Sequence, residues 1–235
     1  MSLSKNILRS LAAAGADMPP LSAFPRAHQV TFKYYNGVIA FLDEDYSNAE
    51  TFLTSAYETC LASTSPSTDA QAKRNTQLIL TYLIPTRLLT SHRLPTATLL
   101  SQHPQLAKLF EPICHAIKTA DLRAFNHALE SNEQTFVARR IYLTLERGRN
   151  IILRNLFRKV FLAGGYEAQK EGDAGSPARR TRIPVMEFAA ALSLVGAVVD
   201  DGDGGVDGDE VECIIANMIY KVRHIPLDAM SMAWC

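Results

Sequence analysis

The stretch Tyr34-Tyr35-Asn36-Gly37-Val38-Ile39-Ala40-Phe41-Leu42-Asp43-Glu44-Asp45-Tyr46-Ser47-Asn48-Ala49-Glu50-Thr51-Phe52-Leu53-Thr54-Ser55-Ala56 sets the fold class. Its apolar residues recur at helical spacing. Tyr34, Val38, Phe41 and Leu42 share one face, and that run stops at the acidic turn Asp43-Glu44-Asp45. A second helix is predicted from near Ser47 to about Ser63, with Tyr46, Ala49, Leu53 and Ala56 along one side.

That spacing matches the second helix of a tetratricopeptide-like hairpin, in which small residues let two helices approach and an aromatic fills the space beside the turn. A plain amphipathic helix pair without repeat meaning is the alternative. Upstream, Pro19, Pro20 and Pro25 break a first short helical segment. Downstream, a polar loop over 64–69 leads into a helix that buries Leu78, Ile79, Tyr82, Leu83 and Leu89, with a kink expected at Pro85. Further helices are predicted over 96–102, 108–119 and 122–131, the last capped by Asp121. Two more are predicted between 133 and 163, separated near Gly148. On the second of these Ile152, Leu156, Val160 and Phe161 pack, and Gly164-Gly165 ends it. Helix pairs joined by short turns describe a right-handed helical-repeat solenoid. Residues 179–185 then read as a short extended piece, followed by a helix over 186–194, an acidic Gly-rich insertion over 199–209 and an amphipathic helix over 210–223.

The bulk properties narrow the function classes. With 47% apolar and 20% charged residues the chain is an ordinary folding sequence, and 235 residues suffice for a sizeable core. Formal net charge is zero, so attraction to nucleic acid or a membrane has to come from a local patch. The four cysteines, Cys60, Cys114, Cys213 and Cys235, form no CxxC pair and read as reduced, small buried side chains of a cytosolic or nuclear protein. No stretch has the apolar length of a membrane span. No GxSxG, HExxH, P-loop or dinucleotide fingerprint occurs, and the six histidines are scattered; the chain is read as non-enzymatic, without cofactor or metal. Asp201, Asp203, Asp207, Asp209 and Glu212 have some calcium-loop spacing, but Val206 stands where that loop needs glycine, so a loop between helices is the preferred reading.

Helix, short strand, helix, helix is the opening of a winged helix. The stretches Arg140-Ile141-Tyr142-Leu143-Thr144-Leu145-Glu146 and Arg154-Asn155-Leu156-Phe157-Arg158-Lys159-Val160 resemble those of PCI-domain proteins of nuclear mRNA metabolism. So do Asp209-Glu210-Val211-Glu212-Cys213-Ile214-Ile215-Ala216-Asn217-Met218-Ile219-Tyr220 and His28-Gln29-Val30-Thr31-Phe32-Lys33-Tyr34-Tyr35. The resemblance runs from about residue 4 to 221 and is strongest to the fungal signalosome-subunit-twelve-like branch. It implies a helical repeat over 1–146 and a winged-helix part over 147–223, with an atypical tail over 224–235. It also implies a nuclear scaffold, with the cytoplasm as a second location. Its expected partners are a large PCI-type subunit, a small acidic peptide subunit and RNA or DNA through the assembled complex. The weak transit-peptide look of Lys5 and Arg9 is set aside by the same resemblance. Two departures are noted. Such relatives carry further repeats ahead of the first residue here, so truncation is expected. After Tyr220 they continue into a two-stranded wing, whereas this chain has Lys221-Val222-Arg223-His224-Ile225-Pro226 and stops at Cys235, so the wing is expected to be absent or replaced.

Nucleic-acid contact is assigned to Arg139, Arg140, Arg147, Arg149, Arg154, Arg158, Lys159, Arg179, Arg180 and Arg182, because cations on phosphates supply most non-specific affinity. A solvated face paired with Glu133, Glu146 and Glu167 is the alternative. The helix over 210–223 sits where a recognition helix would, but Glu210 and Glu212 repel phosphate, so it is read as facing protein. Partner contact is assigned to Ile215, Met218, Ile219, Lys221 and Arg223, the first three expected to be partly exposed. Another PCI assembly (signalosome, proteasome lid or translation initiation factor three) is the second reading.

Overall fold

The computed structural model describes residues 2–15, 19–62, 70–166, 180, 182–197 and 208–223. Twelve α-helices occur among them, and no strand. In chain order they are α1 (Ser2–Ala13), α2 (Arg26–Leu42), α3 (Tyr46–Ala62), α4 (Ala70–Thr90), α5 (Ala97–Gln102), α6 (Pro104–Thr119), α7 (Leu122–Ser131), α8 (Glu133–Ala138), α9 (Tyr142–Glu146), α10 (Arg149–Ala163), α11 (Val185–Leu194) and α12 (Gly208–Arg223). The chain divides into two compact units: Met1–Lys108 with Phe136–Thr144, and Leu109–Thr135 with Leu145–Cys235.

Two of the turns share one chemistry. After α2, Glu44 takes a left-handed conformation (φ 62°), and the Asp45 amide donates back to the Ala40 carbonyl at 3.0 Å. Asp45 then accepts from the Asn48 amide at 3.2 Å and starts α3. After α6, Ala120 (φ 58°) and Asp121 repeat the device: the Asp121 amide reaches the Ala116 carbonyl, and its carboxylate accepts from the Ala124 amide at 3.0 Å. The left-handed residue satisfies the last carbonyls of one helix, and the aspartate satisfies an orphan amide of the next. Asp121 is the cap that the sequence predicts.

In the first unit, α2, α3 and α4 pack on one another. Ala49, Leu53 and Ala56 are buried along α3, as the spacing predicts, with Tyr46 half-buried. Cys60 and Cys114 are buried as expected, but Cys213 is exposed, being on the outer face of its amphipathic helix. The buried face of α2 differs from expectation, with Val30, Asn36, Gly37 and Phe41 inside while Val38 and Leu42 are half-buried. Gly37 explains the shift: a Cβ there would lie 2.6 Å from Leu53 Cγ, so α2 and α3 meet at this glycine. On α4, Leu78 is exposed, and the core takes Ile79, Leu80, Leu83, Ile84 and Leu88. The helix is continuous through Pro85. Glu50 on α3 faces Arg87 on α4 at 3.7 Å and accepts from Thr90, while Arg87 donates to Thr54 at 3.1 Å.

The second unit centres on α7 and α10, which pack together, with α11 and α12 against α10 and each other. Asn155 and Lys159 on α10 donate to the Ile117 and Thr119 carbonyls at the end of α6, at 3.0 and 2.7 Å. Phe157 meets Phe188 of α11 edge-on at 5.1 Å. The packed face of α10 is Ile151, Ile152, Leu153 and Leu156; Val160 is half-buried and Phe161 exposed, contrary to the expected stripe.

Residues 133–163 hold three helices rather than two. The additional break follows α8, where Arg140 goes left-handed (φ 57°) and the Ile141 amide closes back on the Phe136 carbonyl at 3.0 Å. The extended piece before α11 forms no strand among its described residues. Pro184 (ψ 142°) is the helix N-cap, and Val185 already belongs to α11, because proline presets the entry to a helix and lacks the amide a ladder needs.

Candidate nucleic-acid and partner interface

The structure places the predicted cations in two groups. Arg139 and Arg140 belong to the first unit; Arg147, Arg149, Arg154, Arg158, Lys159, Arg180 and Arg182 belong to the second. Arg179 lies outside the described residues. Within the second unit several are already engaged. Lys159 holds the Thr119 carbonyl, and Arg180 pairs with Glu187 at 2.8 Å, a carboxylate that the sequence reading did not weigh. Arg154 is half-buried, and burial together with the neighbouring Arg158 guanidinium lowers its pKa. Arg147, Arg149, Arg158 and Arg182 are exposed.

Arg139 and Arg140 sit in different surroundings. Arg139 donates to Thr81 Oγ1 at 3.4 Å and acts electrostatically on the phenols of Tyr34 and Tyr82. The exposed Arg140 also acts on Tyr82. Tyr34 contacts Tyr35 edge-on at 5.3 Å and Tyr82 at 6.2 Å; Tyr82 contacts Phe41 at 5.4 Å, and Phe41 contacts Tyr46 at 5.7 Å. Burial, then Tyr82 and Tyr35, push the Tyr34 phenol up to about 12, with Arg139 opposing. Burial likewise raises Tyr82. Sequence reasoning missed that α2, α4 and the turn after α8 bring Tyr34, Tyr82 and Arg139 together. No local spacing signals it, because the three residues come from separate stretches of the chain.

Charge follows the same division. The first unit holds eleven Lys and Arg against seven Asp and Glu, the second thirteen against seventeen. The neutral total thus hides an excess of four positive charges in one unit and of four negative charges in the other. The first unit also contains a cavity of about 330 Å³, with Leu80, Leu83, Ile84 and Leu99 as apolar lining and Arg87 and Arg93 among its polar walls.

Of the predicted partner residues, Ile219 is exposed, Ile215 half-buried and Met218 buried. The burial of Met218 corrects the expectation of partial exposure. It lies seven residues after the buried Val211, on the side of α12 that packs within the unit. The side chains of Lys221 and Arg223, and the tail over 224–235, lie outside what is described. Exposed apolar residues that the reading missed include Met186 and Leu194 on α11. Among the described residues no group of three His, Cys, Asp or Glu side chains is placed to hold a metal ion, and of the acidic calcium-like spacing only Asp209 and Glu212 are described. Among those residues no helix is long and apolar enough to cross a membrane.

No protein-family model matches the chain. It is 54% identical over 220 residues to a protein named CSN12 homolog from Neurospora crassa, covering 94% of this chain and 45% of that protein. It is 55% identical over 223 residues to a CSN12 homolog from Gibberella zeae, covering 94% and 46%. With PCI domain-containing protein 2 of Xenopus laevis it shares 32% identity over 197 residues, covering 84% and 42%. The chain thus spans about half the length of the curated relatives it matches. Identity at this level over most of the chain, to proteins named for CSN12 and for the PCI domain alike, supports a PCI-domain family for this mainly helical protein.

Proposed function

We propose that this protein is a non-catalytic scaffold subunit that pairs with a large PCI-type subunit and a small acidic subunit in nuclear mRNA processing, transcription elongation or export. The observation that carries the proposal is the identity to CSN12 homologs over 94% of the chain. In this reading the helices of the first unit are part of a repeat solenoid and α10 to α12 belong to a winged-helix module. RNA or DNA is bound by the assembled complex. Exposed apolar side chains on α11 and α12, Leu194 and Ile219 among them, support a protein-facing role for that module. The positive excess of the first unit supports docking of an acidic peptide there.

Affinity purification of the protein from its own cells, followed by mass spectrometry, tests the proposal. A nuclear PCI-type scaffold with a small acidic subunit is expected. Recovery of signalosome, proteasome-lid or initiation-factor-three subunits instead favours the second reading, which the CSN12 name of the relatives keeps open. Recovery of no PCI-type subunit rejects both.

A further inference from the structure

The chain leaves α4 through a tight turn. The Arg87 carbonyl accepts from the Ser91 and Arg93 amides at 3.1 and 3.2 Å around His92, which is left-handed at φ 52°. The connector that follows, together with α3, α4 and α5, encloses the cavity of about 330 Å³, a volume at the small end of ligand sites. Leu80, Leu83 and Ile84 of α4 line it and are buried, and Leu99 of α5 lines it half-buried. Two of the lining residues are the arginines Arg87 and Arg93, and none is acidic. Tyr57 of α3 also lines the cavity, close enough to Arg87 for the guanidinium to oppose the rise that burial causes in its phenol. Arg87 is held along one edge: Nε faces Glu50 at 3.7 Å, and Nη2 donates to Thr54 at 3.1 Å. Glu50 is occupied in turn by Thr90 and Ser91. Among the described residues, neither Arg87 Nη1 nor the Tyr57 hydroxyl makes a hydrogen bond.

We propose that this cavity binds a small organic acid, with an apolar tail against Leu80, Leu83, Ile84 and Leu99 and a carboxylate that accepts from Arg87 Nη1 and the Tyr57 hydroxyl. The proposal goes beyond the scaffold reading and does not depend on it. Small-molecule sites pair a mostly apolar lining with a few placed polar groups. Here the uncommitted polar groups are donors, so the matching head group is an acceptor. Guanidinium charge without a carboxylate in the lining selects an anion over a cation. The tail follows from the aliphatic walls, which gain dispersion contacts and leave water when methylenes lie against them. An inorganic anion would satisfy the arginine but leave the leucines uncovered. Glu50 and Thr54 orient Arg87 without a ligand's help, which lowers the cost of binding.

The test is isothermal titration calorimetry of the full chain with octanoate, octylammonium, acetate and a short peptide ending in a free leucine carboxylate. Saturable binding of a single octanoate is expected. Octylammonium lacks the acceptor and acetate lacks the tail, so each should bind roughly ten-fold more weakly or less. Tyr57→Phe removes a hydroxyl that bonds nothing among the described residues, so it should leave the thermal midpoint unchanged. It should weaken octanoate about ten-fold, the weight of one hydrogen bond to a charged group. Leu99→Trp puts a larger ring at the cavity and should weaken octanoate as well; if that variant is unstable, Tyr57→Phe decides. No saturable octanoate binding, equal binding of octylammonium, or an unaffected Tyr57→Phe overturns the site. Loss of octanoate binding in the double variant Leu194→Glu, Ile219→Lys, which changes exposed apolar residues of the other unit, reveals adsorption to that surface and also overturns it. Binding of the peptide without binding of octanoate makes the cavity a site for a peptide terminus, and the small-acid assignment falls.

Discussion

Gly37 is the residue on which the α2–α3 hairpin depends. A methyl group there would meet Leu53 Cγ at 2.6 Å and Cδ2 at 2.8 Å, and Leu53 is fully buried. Gly37→Ala is therefore expected to destabilise the protein by about 1–3 kcal/mol in urea unfolding, the usual cost of overpacking. Gly208→Ala, where nothing lies within 4 Å of the added atom, should be close to neutral in the same assay. A second residue-scale expectation concerns alkaline pH. Burial pushes the Cys114 thiol up to about 12 from 9.0, and the Tyr34 phenol up to about 12 from 10.0. Between those values the unfolded chain loses protons that the native one keeps, so stability should be level below about pH 9 and fall as pH rises toward 12. Cys114→Ala should flatten the first part of that fall, as read by midpoint against pH. Sequence made the small residues Ala49 and Ala56 legible as a close helix approach but passed over Gly37 on the facing helix. Periodicity weighs what a side chain buries, and glycine has none to weigh.

At the scale of elements, the Asp121 cap was the most legible feature, because Asp121 sits one residue before a helical apolar run and needs only local geometry to act, whereas Asp45 was read only as part of an acidic turn. Asp121→Ala and Asp45→Ala should each cost about 1 kcal/mol in chemical denaturation, while the corresponding Asn variants recover most of it. Helix number was less legible. The break at Arg140 uses an arginine in the left-handed region, where glycine or asparagine is the usual signal, so nothing in the local sequence marks the end of α8. The burial pattern of α4 misled for a related reason. With Ile79, Leu80, Leu83 and Ile84 all inside, the apolar run offers several overlapping faces, and only packing against α3 selects the one that leaves Leu78 in solvent. The end of α11 carries another feature invisible to pattern reading. Arg123 of α7 donates to the Ser193 carbonyl at 3.3 Å, and Gly196, at φ +67°, lies so close that a Cβ would meet the guanidinium. Gly196→Ala is expected to lower the unfolding midpoint through both the strained φ and the displaced arginine.

For the whole molecule, the net charge of zero was a poor guide, because it sums two units of opposite sign. Assigning nucleic-acid contact to one basic stretch joined residues that the fold distributes between those units, with Arg139 and Arg140 beside the half-buried Tyr82 of the first unit and the other described cations in the second. The same reasoning bears on association. In the second unit α11 and α12 pack against each other yet leave Met186, Leu194 and Ile219 in solvent, with Leu194 80% exposed. Apolar side chains of that size at the surface favour contacts that remove them from water, each worth up to about 1.5–3 kcal/mol when fully covered. The isolated chain is therefore expected to self-associate with rising concentration in sedimentation velocity. Leu194→Glu combined with Ile219→Lys should restore a single monomeric species, because neither side chain belongs to the buried set formed by Ala189, Leu192, Val211 and Met218. The thermal midpoint should stay within a few degrees of wild type. If the double variant is monomeric and also loses capture of a PCI-type subunit, one surface serves both associations. If it is monomeric and captures normally, the partner uses a different face and the assignment of Ile219 to partner contact falls. A wild-type chain that sediments as a clean monomer at all concentrations removes the basis for the self-association prediction.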